Sequence, residues 1–289
     1  MSGDTTPTPS SARRTHSYHA QAFALDGDLQ LPLKSPVKPQ AFVKVAETGG
    51  YLSERSVDYR LEGIFAFRHA YTQVAGHESL KPDGGWTTLA TSVIEGFNVL
   101  EVVTADRIVS QISTHYPQKG YVPEVTFLGT RFENLRIAGH PVRVELDLNL
   151  FGDKPANDAT YHSDKDFRGR VAVQREKILK GSDIPEEIAK RYNRLPPTPN
   201  PQESIECSLV QHVEGSYPGR THGHVIDIPH FGKVYLGVVT LEQSVYKTSV
   251  PGDHPQTTIK LTMVDIKMGC IGHGGAGGGN TVTNGTTAP

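Results

Sequence analysis

The chain has 289 residues, long enough for one large or two smaller domains to bury a core without covalent staples. Its 29 Lys and Arg against 31 Asp and Glu give a formal net charge of -2, with no basic block to neutralise a row of phosphates, so a nucleic-acid partner is not expected. Hydrophobic residues make up 36 % and fall in short runs, well below the roughly 20 consecutive apolar residues of a membrane-spanning helix, so no transmembrane segment is expected.

Residues 1 to 16 lack apolar periodicity, and Met1 to Ala20, with its Thr, Pro, Ser and Arg, lacks the apolar stretch of a secretory signal. They predict a flexible N-terminal tail and a cytoplasmic product, with export by another route left open. A β body is expected from 17 to 271. Its first candidate strand is Gln40 to Ala46, followed by a long alternation from Val57 to Val74, in which Val57, Tyr59, Leu61, Phe65, Phe67 and Tyr71 oppose Asp58, Arg60, Glu62 and Arg68. That alternation predicts one long, bent strand with a bulge at Gly63.

Trp86 to Ile94, Phe97 to Thr104, Arg107 to His115, Val122 to Leu128 and Arg131 to Ile137 are rich in Val, Ile, Thr and aromatics and read as further strands. From Val142, alternate positions Val144, Leu146, Leu148 and Leu150 share one face, against Arg143, Glu145, Asp147 and Asn149. A polar centre then runs from about 153 to 202, containing a strand candidate at Arg170 to Gln174 and ending in the stiff RLPPTPNPQ. It either divides two domains or carries the chain across the outside of one. It also holds the one expected helix, Ile184 to Arg194, with Asp183 and Glu186 as a capping box, Pro185 in the first turn and Pro196 as the stop.

Ser204 to Val213, His222 to Ile228, Lys233 to Leu241 and Thr258 to Met268 complete the strands. The Gly- and Thr-rich residues 272 to 289 predict a flexible C-terminal tail. Many short strands separated by Gly, Pro and Asp turns predict a mainly β fold, an antiparallel sandwich or barrel with one short helix and disordered termini.

The chemically suggestive stretch is THGHVIDIPHFG. On one strand His222 and His224 would project to the same side, and two imidazoles at that spacing can ligate one metal ion, with His212, Glu206 or His230 as the third ligand. The arrangement resembles the first metal motif of cupins, except that no Glu follows His224 at the cupin distance. The ordinary alternative is a pair of strand-end histidines in local hydrogen bonds.

Asp147, Asp153, Asp158, Asp164 and Asp166 offer an oxygen-rich calcium site or a solvated loop. Trp86 is either a stacking platform beside Tyr71 or Tyr121, or a core anchor. Ser208 and His212, four residues apart on one strand, lie about 13 Å apart and outside hydrogen-bond reach. Cys207 and Cys270 are too few for a disulfide framework and read as free, buried thiols.

The runs VIEGFNVLEVVTADRIVSQISTHYP, VTFLGTRFENLRIAGHPVRVELD and VIDIPHFGKVYLGVVTLEQ carry a TAD strand at Thr104 to Asp106, a Gly-Thr segment at Gly129 to Thr130, a hairpin at Leu135 to Val142 and a strand pair at Ile228 to Leu241. In these the chain resembles the choice-of-anchor P β proteins of bacteria over about one third of its length. The resemblance implies an all-β body and no particular activity.

Two readings of function follow. The first is a non-enzymatic β scaffold for protein interaction, self-assembly as a homo-oligomer, or ligand binding, with no cofactor. The second is a metal-dependent, cupin-like β-barrel enzyme built on His222, His224, His212 and Glu206 with one transition metal ion, or a barrel-type isomerase or cyclase.

Overall fold

The computed structural model describes residues 14–29, 35–81, 84–181, 183–200, 204–247, 253–269 and 274–288. The fold is mainly β: the described residues form two nine-stranded sheets and a short two-stranded ribbon, and every pairing between strands among them is antiparallel. Neither sheet closes into a barrel.

Sheet I runs in the order Val210–Gly215, His140–Leu146, Arg136–Ile137, Val103–Tyr116, Trp86–Val99, Phe65–Glu78 and Gly50–Leu61, with Glu124–Thr126 and Arg131–Glu133 also pairing to Val103–Tyr116. Sheet II runs Arg220–His222, Val225–Ile228, Gly232–Lys247, Asp253–Met268, Gly274–Asn284, Ala20–Leu29 and Ser35–Gln40, with Ile205–Ser208 and Val43–Lys44 joining Gly232–Lys247 and Ala20–Leu29. The inner faces pack on each other as a sandwich. Ile94, Ile108 and Ile112 from sheet I and Leu25, Leu261 and Ile266 from sheet II belong to one buried cluster, and Ser110 Oγ meets Thr281 Oγ1 across the gap at 2.8 Å. That cluster also takes in Tyr161, Phe167 and Val171 from the polar centre, so the segment 153–202 packs on the same core as the strands on either side of it.

Several elements differ from the sequence expectation. The alternation from Val57 to Val74 is a hairpin: Gly50–Leu61 and Phe65–Glu78 join through a tight turn in which Ile64 N–H donates to Leu61 O and Gly63 adopts φ +70°. A two-residue period continues across a reversal, so alternation alone does not reveal one. Conversely Trp86–Val99 is one strand across Gly96, and the next turn falls at Leu100 and Glu101, both with positive φ. No Asn-Gly or Asp-Gly signal marks that turn.

The main helix is Lys165–Leu179 rather than the segment 184–194, and it includes the strand candidate Arg170 to Gln174. Asp164 caps it by accepting from Phe167 N–H at 2.7 Å. Its buried stripe is Phe167, Val171, Arg175 and Ile178, where an arginine breaks the apolar pattern that would have marked a helix. Arg175 donates there to the backbone oxygens of Asn193 and Glu206. The helix expected at Ile184 to Arg194 shortens to Glu186–Arg191, and Asp183 pairs with Arg220 at 3.2 Å instead of capping it.

The largest correction concerns the C-terminal tail. Gly274–Asn284 is an interior strand of sheet II, hydrogen-bonded to Asp253–Met268 on one side and Ala20–Leu29 on the other, and Thr286–Ala288 pairs with Thr15–Ser17. Gly278 is closely packed there: a Cβ on it would stand 3.1 Å from the Phe97 ring of the facing sheet. Residues 1–13 of the expected N-terminal tail, and Cys270, lie outside the described residues.

The half-buried face from Val142 holds in part. Val142 is buried, while Val144, Leu146 and Leu148 are half-buried against the core; the strand ends at Leu146. Among the described residues no helix is long and apolar enough to cross a membrane.

Candidate functional site

The outer face of sheet II carries an open, polar cleft of about 820 Å³. Its floor follows from the strand pattern. Along Asp253–Met268, Ile259, Leu261, Val264 and Ile266 point into the core, while Lys260, Thr262, Asp265 and Lys267 take the outer side. On the neighbouring strand the outer positions opposite Lys267 and Asp265 are Gly275 and Gly277, and beyond these stand Asp28 and Asp26. The two glycines leave a trough between charged walls two strands, or about 10 Å, apart. Long side chains lie down into it: a Cβ on Gly275 would stand 3.1 Å from Lys267 Nζ, and one on Gly277 would stand 3.1 Å from Asp26 Oδ1.

One end of the cleft is closed by the helix Glu186–Arg191. Ile188 and Tyr192 pin it to the sheet by packing with Ile178, Val225, Tyr235 and Val238. Arg191 is thereby delivered over the Tyr235 ring, 4.0 Å from its centroid, where it donates to both carboxylate oxygens of Glu206 at 2.5 and 3.1 Å and to Asp265 at 2.9 Å. Burial works against the guanidinium charge, but the Glu206 hydrogen bond and the two carboxylates outweigh it and hold Arg191 firmly protonated. Lys233 pairs with Glu187 at 2.6 Å and Lys267 with Asp265 at 3.6 Å.

Most charges of the cleft are thus committed to one another. Asp26 and Lys260 are different: neither has an ion-pair partner within 4 Å among the described residues, and both face the trough. Burial pushes the Asp26 carboxyl above its ordinary range, with Lys260 opposing and Asp265 reinforcing the shift.

Of the residues singled out from sequence, the fold brings His224 and Glu206 together at Tyr192 and leaves His212 apart on sheet I. His222 ends the strand Arg220–His222, Gly223 turns with φ +62°, and His224 lies in that turn before Val225–Ile228. The two imidazoles therefore do not project from one continuous strand. Both are buried; His224 Nε2 shares a hydrogen bond of 2.7 Å with the Tyr192 hydroxyl and sits edge-on to its ring, while His222 Nε2 has no partner among the described residues. Burial, reinforced by Arg191, pushes the His224 pKa down to about 3, so the ring is neutral at ordinary pH.

Glu206 is engaged by Arg191, His212 is exposed on sheet I opposite Glu145, and His230 is exposed in a turn. Among the described residues no three His, Cys, Asp or Glu side chains group closely enough to hold a metal ion. The acidic centre is dispersed likewise: Asp158 accepts from Tyr121 and Val122 N–H, Asp147 from Asn149 N–H, and Asp164 caps its helix. Trp86 is a core anchor, 3 % exposed, its ring stacked on His16 at 5.3 Å. Ser208 Oγ donates to Leu236 O, and the Cys207 thiol is free and buried, its pKa raised by burial to about 12.

The cleft residues Asp26, Arg191, Lys260 and Asp265 were not singled out from sequence. The available signal was the alternation of Lys260, Thr262, Asp265 and Lys267 with apolar residues, which marks an outer face rich in charge beside a run of glycines.

Residues 16–242 match the family model described as a domain of unknown function, DUF8256, over more than three quarters of the chain. The chain belongs to the DUF8256 family. The DUF8256 match includes Asp26, Arg191 and Glu206, while Lys260, Asp265, Gly275 and Gly277 lie on the two strands beyond it. The cleft of this DUF8256 chain thus joins side chains from inside and outside the matched span. No curated protein and no solved structure matches the chain.

Proposed function

We propose that the chain is a β-sandwich binding scaffold whose ligand site is the glycine-floored cleft on sheet II, and that its ligand is uncharged and rich in hydroxyl groups, as a saccharide is. The reading rests on one observation: the charges of the cleft are largely paired among themselves, through Arg191 with Glu206 and Asp265 and through Lys233 with Glu187. A charged ligand would have to displace those pairs or leave one partner uncompensated. A hydroxyl both donates and accepts, so it can meet Lys260 and Asp26 in turn without disturbing the rest.

The test is a backbone-amide NMR titration with neutral disaccharides and with their sulfated counterparts. The neutral sugars are expected to shift the amides of 260–268 and 275–280, and the Asp26→Asn, Lys260→Met double variant to lose the response while keeping its fold. Absence of a response to any neutral sugar, or a stronger response to the sulfated forms, would overturn the proposal.

A further inference from the structure

Away from the cleft, the interior of the sandwich contains a seam of hydroxyl side chains beside the apolar cluster of Tyr18, Val74, Trp86, Ala90 and Tyr116. Some members of the seam are satisfied within the protein. Ser92 Oγ donates to Phe23 O at 3.1 Å, Thr72 Oγ1 donates to Ala41 O at 2.6 Å, and Ser110 meets Thr281. Three are not: the hydroxyls of Thr88, Thr114 and Thr283 are 1 %, 2 % and 0 % exposed as residues and have no hydrogen-bond partner among the described residues.

These three come from different strands and converge. Thr88 and Thr114 stand directly opposite each other in the register of Trp86–Val99 with Val103–Tyr116. Thr114 lies between Ser110, which touches Thr281, and Tyr116, whose hydroxyl accepts from Gly285 N–H at 3.3 Å. On the facing strand Thr283 lies between Thr281 and Gly285, so the same two contacts place it across the gap from Thr114.

Valine has the shape of threonine and suits a strand at least as well, so three buried threonines with no protein partner are not explained by packing or propensity. Each unpaired hydroxyl would carry an uncompensated loss of solvation. We infer that Thr88, Thr114 and Thr283 form an internal binding site for water, which bridges the two sheets. Water is the ligand whose chemistry fits: it is neutral, as the three hydroxyls are, small enough for a layer between packed sheets, and able to donate and accept toward two to four partners. The site is independent of the cleft and of any ligand bound there.

Two measurements test the site. In urea unfolding, Thr114→Val and Thr283→Val are each expected to lower the folding equilibrium constant roughly five- to tenfold, because each leaves the bridging water short of a partner. The double variant is expected to lose less than the product of the two, since the water leaves with the first substitution. In the unaltered protein, nuclear Overhauser cross-peaks are expected between a long-lived water and the methyl protons of Thr88, Thr114 and Thr283. Valine variants as stable as the parent or more stable, or a parent protein lacking those cross-peaks, would overturn the inference. The second measurement does not depend on any variant folding.

Discussion

Lowering the pH should destabilise this protein through His224 in a way that a single substitution removes. In the unfolded chain a histidine titrates near 6.5, whereas burial and the neighbouring Arg191 hold His224 at about 3 in the fold. The folded pKa is the lower one, so on acidification the unfolded chain takes up the proton first. The contribution is fully present above about pH 6.5 and is lost progressively as pH falls from there towards 3. Between pH 7 and pH 5 the fold keeps the ring neutral while the unfolded chain moves about 1.5 pH units into its protonated range, which removes about 2 kcal/mol of stability. His224→Gln removes the titration and leaves a side chain able to hydrogen-bond the Tyr192 hydroxyl. Urea unfolding of both proteins at pH 7 and pH 5 isolates the effect, because titrations elsewhere occur in both. The parent should lose about 2 kcal/mol more than the variant on acidification. Equal losses, within about 0.5 kcal/mol, would show that His224 is not held neutral by its surroundings and would refute the argument.

Two further outcomes are expected. Asp164→Ala should cost about 1 kcal/mol in chemical unfolding, through loss of the cap on Phe167 N–H, and Asp164→Asn should recover most of it. A chain ending at residue 273 should lose its cooperative thermal transition, because Gly274–Asn284 supplies the ladder between Asp253–Met268 and Ala20–Leu29; a truncated protein that still melts sharply would show sheet II closing without that strand.

The candidate site was less legible than the fold for a definite reason. A histidine pair two residues apart reads as a ligand set only if the strand is continuous, and the positive φ of Gly223 ends it between the two. His224 instead completes the footing of the helix Glu186–Arg191 through Tyr192, and so helps to fix Arg191 over Tyr235. The cleft is assembled from residues as far apart in the chain as Asp26, Arg191 and Asp265, and no local pattern joins them.

By itself the sequence determined the mainly β, antiparallel character and most strand positions, because alternation of apolar and polar side chains is a direct consequence of one buried face per strand. It could not determine where a strand reverses, as at Gly63, because both arms of a hairpin keep the same period. It also hid the helix Lys165–Leu179, whose buried stripe contains Arg175, which donates to the backbone oxygens of Asn193 and Glu206 that the fold brings to it. Composition marked GGAGGGNTVTN as a tail because glycine contributes no apolar surface of its own. Tertiary structure alone made it an interior strand: its backbone is held by ladders on both sides, and the space its side chains do not fill is taken by Phe97 on the inner face and by Asp26 and Lys267 on the outer.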